Sequence, residues 1–277
     1  IYDCVTFYDE NFLTNLRFEI LDKEVDYFIV CESKFDHKGK PKPLNFSLKN
    51  KKFKNKVRHL IIEEQFPSLS SGWAAEEYQR EKIFEALDDA SENDYIMYSD
   101  SDEIPNPKKL KDFRLNKKFA IFLQDFYVYK INVFNRHETP WEGTRICKKK
   151  FLKSFSYLRK KVLKKNISKP FWKIGVEKNI EIIPQGGWHF NNLYSLQLIR
   201  KKIMTFPHSE YQVNEYTDLG KIKSRVENLE DLFDRGYKFE KVALNKSFPD
   251  FIIENQHLFK EHILWKYFWK KSNILYL

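Results

Sequence analysis

The feature that most constrains this chain is a repeated change of hydrophobic period within its first hundred residues. Ile1–Tyr8 is a short β-rich run, and Asn11–Leu21 then spaces Phe12, Leu16 and Ile20 as a helix does. Tyr27–Cys31 packs β-branched and aromatic residues without a polar break, as a strand covered on both faces requires. Val57–Ile62 and Asp94–Tyr98 read as two further strands. Between them Ala74–Ala90 predicts a helix whose apolar stripe is Tyr78, Ile83, Phe84 and Leu87. Strands alternating with helices or long crossovers predict an α/β fold with a mostly parallel central sheet flanked by helices. Ligands of such sheets bind beyond the carboxyl ends of the strands. The fourth strand here runs straight into Ser99-Asp100-Ser101-Asp102-Glu103-Ile104-Pro105, so an acidic cluster falls where a ligand is expected.

The second half is less regular. Phe119–Phe134 predicts two strands split near Asp125, and Ile180–Ile183 and Gly187–Phe190 predict short strands around Pro184-Gln185-Gly186. Arg145–Leu152 is basic and apolar by turns, and Ser195–Met204 and Leu219–Phe233 read as helices. No Ser/Gly linker and no internal repeat interrupts the chain. The expectation is one domain over 1–262, with a nucleotide-binding half to about residue 115 and an acceptor half from about 116, followed by a basic aromatic tail, 263–277.

Composition enters mainly by exclusion. The 277 residues carry 49 Lys+Arg against 39 Asp+Glu, a net charge of +10. Hydrophobic residues make up 42% and charged residues 32%, a globular balance. No apolar run approaches the roughly 20 residues that span a bilayer. The three cysteines show no C-x-x-C spacing, which argues against a disulfide scaffold or zinc ribbon and favours a reducing, cytoplasmic setting. Acidic residues within the first ten positions do not read as a signal peptide. With only 8 Gly there is no Gly-rich phosphate loop of either common kind.

Asp100-x-Asp102 offers two carboxylates to one side of a turn. Mg2+ and Mn2+ take oxygen ligands and are commonly held by one or two carboxylates plus substrate phosphates. A cation held so can take up the charge of a departing diphosphate. A calcium loop of the EF-hand kind fails, because Pro105 stands where that loop needs Gly. A phosphatase-like hydrolase with Asp100 as nucleophile stays open, as does a plain N-cap role for Asp102 ahead of Pro105 or Pro107. A basic nucleic-acid-binding module is a third class, though no reader motif is present and no nucleic acid is expected as partner.

The wider pattern resembles glycosyltransferase family 17, the family of bisecting N-acetylglucosaminyltransferases. Tyr95–Pro105 resembles its strand ending in S-D-x-D-E-I-P, and Asp26–Phe46 resembles its segment around E-S and a following Gly, Lys and Leu. Glu10, Leu13 and Arg17 resemble its N-terminal pattern. Gly72-Trp73 with Glu77 and Arg80 resembles its Trp–Glu–Arg helix, and Gly187-Trp188-His189-Phe190 its G-W-H segment. Ser101 departs from the usual apolar residue, Asp36 stands near the usual Thr, and Lys130–Lys178 matches poorly.

The resemblance implies a GT-A-like fold and an inverting, metal-dependent transfer. A sugar, N-acetylglucosamine or a related hexose, passes from a UDP-sugar to a hydroxyl of a glycan or lipid-linked saccharide. Asp100 and Asp102 then hold Mn2+ or Mg2+, with His189 as a third ligand and Glu103 and Trp188 behind them. Glu10, Arg17, Glu32, Lys42, Glu77, Arg80 and Ser101 are the nucleotide-sugar contacts. An inverting transfer needs a general base, for which Glu210, Glu142 and Asp125 are the candidates. Trp141 and Trp188 are possible sugar platforms. The tail, with Trp265 and the basic aromatic residues after it, suggests peripheral membrane contact.

Overall fold

The computed structural model describes residues 1–67, 72–205 and 209–265. The N-terminal apolar runs are unbroken because their strands serve two cores at once. β1 (Tyr2–Phe7) turns Val5 and Phe7 to one face of the sheet and Tyr2 and Cys4 to the other. α1 (Asn11–Leu21) covers the first face with Leu13, Leu16 and Phe18. β2 (Tyr27–Ser33) divides in the same way, Phe28 and Val30 against Ile29 and Cys31, and β3 (Val57–Ile62) follows beside it. α2 (Gly72–Lys82) returns over the second face and tightens into a 3-10 turn, Ile83–Ala86. The helix expected to reach Ala90 ends there, where the Leu87 amide donates back three residues to the Phe84 carbonyl. β4 (Tyr95–Ser99) then enters the centre of the sheet.

These strands form a parallel block in the order β3-β2-β1-β4. α1 and α2 lie on opposite faces, so the direction of winding reverses between β1 and β4. That reversal opens a crevice at their carboxyl ends.

Past β4 the chain makes β5 (Glu103–Pro105) and the short α3 (Pro107–Leu110), capped by Asn106 with Pro at its first position. The capping role considered for Asp102 therefore belongs to Asn106. β6 (Phe119–Val128) is one continuous strand with a register shift between Ile121 and Leu123. The expected split at Asp125 lies instead at Tyr129, whose φ is 65°, ahead of β7 (Val133–Phe134). β8 (Trp141–Lys148) joins the two halves by pairing antiparallel with both β4 and β6. α4 (Phe155–Lys160), capped by Ser154, packs under α2.

β9 (Ile180–Asn191) is likewise one strand, not two, and Pro184-Gln185-Gly186 forms an irregularity within it. It runs parallel to β6 and antiparallel to β5. Gly187 is required at the crossing: its φ is +141°, and an added Cβ would stand 2.1 Å from the Ile104 carbonyl oxygen. A third core, centred on Phe126, Val133, Ile199 and Ile222, supports α5 (Leu196–Thr205) and α7 (Leu219–Glu227), with α6 (Asn214–Thr217) packed beside both. α7 stops short of Phe233 because Leu229 takes a left-handed turn, φ 54°. β10 (Glu240–Lys241) and α8 (Asp250–Glu254) complete an α/β architecture with a large central sheet flanked by helices. Ile263 is buried and the Leu264 amide bonds Asn132, while residues 266–277 of the expected tail lie outside the described residues.

Candidate active site

The crevice at the β1–β4 reversal is a cavity of about 290 Å3. Three connectors and two helices make its walls. Tyr8, Asp9 and Glu10 leave β1, His37 stands on the loop after β2, and Asp100, Ser101 and Asp102 leave β4 as the floor. α2 contributes Trp73, Glu76 and Gln79, and α5 contributes Leu198, Lys201 and Lys202. Gln79 fixes its helix to the strand ends, donating to the Phe7 carbonyl at 3.1 Å and the Cys31 carbonyl at 2.8 Å.

The two aspartates differ. Asp100 is half-exposed; its Oδ2 meets Arg159 Nη2 at 2.5 Å, and its Oδ1 accepts from Tyr98 at 3.4 Å. Asp102 is buried, with Oδ1 3.3 Å from His189 Nε2 and Oδ2 3.5 Å from Lys202 Nζ. Burial alone would raise the Asp102 pKa, but His189 and Lys202 outweigh it and hold the carboxyl well below the usual carboxylate range. Glu103, fully buried, accepts from Trp141 Nε1 at 2.7 Å, from Arg159 at 2.8 Å, and from the Asp100 amide at 3.2 Å. It thereby shapes the turn that carries both aspartates.

His189 arrives through strand pairing. The β5–β9 register sets it opposite Glu103, and Phe126 and Trp141 enclose its ring at 4.2 and 5.0 Å. Trp188, next in the chain, points to the opposite face, where its Nε1 donates to the Ser247 carbonyl at 2.9 Å. It therefore belongs to the core and not to the surroundings of the acidic pair.

Several expected contacts are corrected by the geometry. Arg17 has no exposed surface; it grips Asp3 in two bonds of 2.5 and 2.6 Å, donates to Ser99 at 2.9 Å, and bonds the Glu103 carbonyl. It is an internal clamp beneath the crevice. Glu32 is buried by Lys42, His59 and the amides of Asn45 and Phe46; burial would raise its pKa, but His59, the Asn45 amide and Lys42 hold it down. Lys42 is consumed by the same cluster. Glu77 faces away from the cavity and pairs with Lys160 at 2.7 Å. Arg80 pairs with Glu76 at 2.7 Å rather than Glu77, and its Nε donates to Tyr98 at 3.0 Å, just behind the cavity wall.

The three expected bases are also displaced. Asp125 alternates away from Gln124 and Phe126 and lines a separate groove beside Trp188, where burial raises its pKa. Glu142 accepts from the Lys164 amide at 3.0 Å, and Glu210 is exposed; neither lines the cavity. Glu10 and Ser101 do line it, with Glu10 accepting from the Tyr8 and Asp9 amides at 2.9 and 3.1 Å.

Sequence reasoning missed Asp9, Glu76, Arg159, Lys201 and Lys202. Glu76 had a signal, since it lies three residues after Trp73 and four before Arg80 on one helix face. Its pKa is raised by burial, opposed by Arg80 and reinforced by Asp100. Arg159 had no local signal.

The residues suit a cation in one respect and not in another. Among the described residues no group of three or more His, Cys, Asp and Glu is gathered to hold a metal. Asp100 is engaged by Arg159 and His189 bonds Asp102, so the expected trio does not converge. Yet five cavity carboxylates (Asp9, Glu10, Glu76, Asp100, Asp102) face two lysines. A diphosphate entering this field needs added positive charge, and two oxygen-donor side chains on one turn are the set a hard divalent cation takes. Tyr194 Oη, on the cavity wall, and His189 Nδ1 are buried without hydrogen-bond partners among the described residues, which leaves polar capacity for a ligand.

Fold and crevice define an α/β architecture with a cavity beyond the carboxyl ends of its parallel strands. Residues 1–260 match the profile of glycosyltransferase family 17, and the chain belongs to that family. Human beta-1,4-mannosyl-glycoprotein 4-beta-N-acetylglucosaminyltransferase is 35% identical over 104 residues, covering 34% of this chain and 19% of the human protein. The mouse protein of the same name is 34% identical over the same length. The matched segment thus spans about a fifth of those relatives. Among solved structures, HddC from Yersinia pseudotuberculosis aligns over 76% of this chain and 97% of its own, at 11% identity and a TM-score of 0.33. So distant a likeness adds nothing to the assignment. No helix among the described residues is long and apolar enough to cross a membrane.

Proposed function

We propose that the chain moves a sugar, N-acetylglucosamine or a related hexose, from a UDP-linked donor to a hydroxyl of a glycan acceptor, with inversion and with help from a divalent cation. The observation that carries this reading is the placement of Asp100 and Asp102 on the floor of the cavity at the β1–β4 reversal. Family membership sets aside the aspartate-nucleophile hydrolase and the nucleic-acid module.

Asp100 and Asp102 are the residues that would hold Mn2+ or Mg2+, which when bound supplies positive charge to the departing diphosphate. Lys201 and Lys202, on one turn of α5, add fixed cations at the same wall. Glu103 and Arg159 orient the turn that carries both carboxylates. Tyr8, beyond β1, and Trp73, nearly half exposed, offer ring faces for the nucleobase and the sugar.

Of the cavity carboxylates, Glu76 is the one we assign as base. Asp9 pairs with Lys201, Glu10 caps two amides, and the aspartates serve the diphosphate. Glu76, though paired with Arg80 at 2.7 Å, has its pKa raised by burial, which favours proton uptake. The acceptor oxygen bonds to the anomeric carbon as the bond from that carbon to the diphosphate breaks. The hydroxyl proton passes to Glu76, and UDP leaves with the electron pair. Incubation with UDP-N-acetylglucosamine, Mn2+ and a panel of saccharide acceptors tests the reading. It predicts a β-linked product and release of UDP that chelation abolishes. Transfer with retention, or at full rate in chelator, would contradict it.

A further inference from the structure

Helix α4 runs into a loop, Lys161–Asn179, whose tip is the most exposed apolar segment of the described chain. Phe171 is 87% exposed, Trp172 69% and Ile174 94%. Three large apolar side chains within four residues cost free energy in water, since burying each would gain roughly 1.5–3 kcal/mol. Such a cluster needs a reason.

The tip is held outward by structure. Asn166, buried at the base, donates to the Lys161 carbonyl at 2.7 Å and accepts from Lys169 at 2.8 Å. At the tip the Lys173 amide bonds the Pro170 carbonyl at 3.1 Å, and the Ile174 amide bonds the Trp172 carbonyl at 2.9 Å. The Phe171 and Trp172 rings meet edge to face at 5.1 Å. Gly175, at φ +82°, turns the chain back, and nothing lies within 4 Å of where its Cβ would be.

The charge around the tip is predominantly positive. From Lys160 to Lys178 there are seven lysines and one acid, Glu177. Lys161, Lys164, Lys165 and Lys173 are exposed. A protein partner of ordinary size needs about 800 Å2 per side, with a rim of mixed polarity. A narrow aromatic tip ringed by lysines fits another surface. Its rings reach the level where headgroups meet acyl chains, while each ammonium stays among phosphates.

We propose that residues 170–175 dock into an anionic lipid bilayer, with Phe171, Trp172 and Ile174 inserted and the flanking lysines on acidic headgroups. The inference does not depend on which sugar is moved. Because the same loop leaves α4, whose Arg159 bonds Asp100, docking sets the distance of the cavity from the lipid surface.

Flotation with vesicles of phosphatidylcholine, alone or mixed with phosphatidylglycerol, tests it. The intact chain is expected to bind the mixed vesicles at least about tenfold better than the neutral ones, and to be released by salt. Replacing all three tip residues (F171S/W172S/I174S) should lower binding about tenfold or more with an unchanged melting temperature, since none of them packs in a core. Brominated lipid should quench the intact protein, and Trp172→Phe should lose that quenching while still binding. The proposal is overturned if the intact chain stays with the soluble fraction, or if the triple variant floats as well as the parent. It is also overturned if the triple variant changes only the molar mass in solution, which would assign the tip to a second copy of the chain.

Discussion

Two layers of charge lie one above the other in the block of β1, β2 and β4, the upper one at the carboxyl ends of the strands, built from the same residue types. In the lower layer every charge is answered. Arg17 meets Asp3, Ser99 and the Glu103 carbonyl; Glu32 meets Lys42, His59 and two amides; Glu103 meets Arg159 and Trp141. In the upper layer five carboxylates share a cavity with two lysines. Access separates a strut from a site. A buried ion closed in by its partners has nothing left for a ligand, whereas a paired carboxylate that lines a cavity still presents lone pairs to it.

The largest way to break the comparison is Arg17→Met. It leaves Asp3 buried and unpaired, which costs about 3–5 kcal/mol. Urea unfolding should show that loss, and adding Asp3→Asn should recover part of it. A variant that folds like the parent but fails to bind donor would move Arg17 back into the site. Next is Glu76→Gln. As base, Glu76 must be ionised, so the parent's rate falls as pH drops through its raised pKa. The variant should lose about 100-fold in kcat along with that acid limb, while UDP binding is retained. Loss of UDP binding with kcat preserved would make Glu76 a donor contact instead.

Glu32→Gln sharpens the lower layer. The folded pKa of Glu32 lies below its unfolded value, so its contribution is present above the unfolded pKa and disappears as pH falls through the folded one. The variant should be about 2 kcal/mol less stable at neutral pH and match the parent in strong acid. A difference that persists there would point to packing rather than charge. The smallest effect belongs to Glu77→Ala, which removes a solvent-exposed pair with Lys160 and should shift stability by less than about 0.5 kcal/mol. A large fall in transfer rate would show that Glu77 reaches the ligand.

Much of the parallel block was legible because burial on both faces leaves an unbroken apolar run, and Asn11–Leu21 and Val57–Ile62 carry their boundaries in their periodicity. The acidic floor was legible for a related reason: a strand that buried ends in residues that cannot be buried. β6 and β9 were harder, because a register shift inside each looks like a strand break. Reading β6 as two strands also hid the alternation that puts Asp125 on the far face. Glu76 was one residue from the expected acid, a 100° error in helix phase that decides between cavity and solvent. Arg159, 59 residues from Asp100, sits in a lysine-rich stretch with nothing local to mark it. Only the packing of α4 beneath β8 brings it to the floor.

The most direct test is calorimetric titration of UDP into the intact chain with Mn2+, with chelator, and with Asp100→Ala/Asp102→Ala. Binding should need the cation and vanish in the double variant, which melts lower because Arg159, His189 and Lys202 lose their partners but still unfolds cooperatively. Cation-dependent binding that survives both substitutions would place the donor elsewhere.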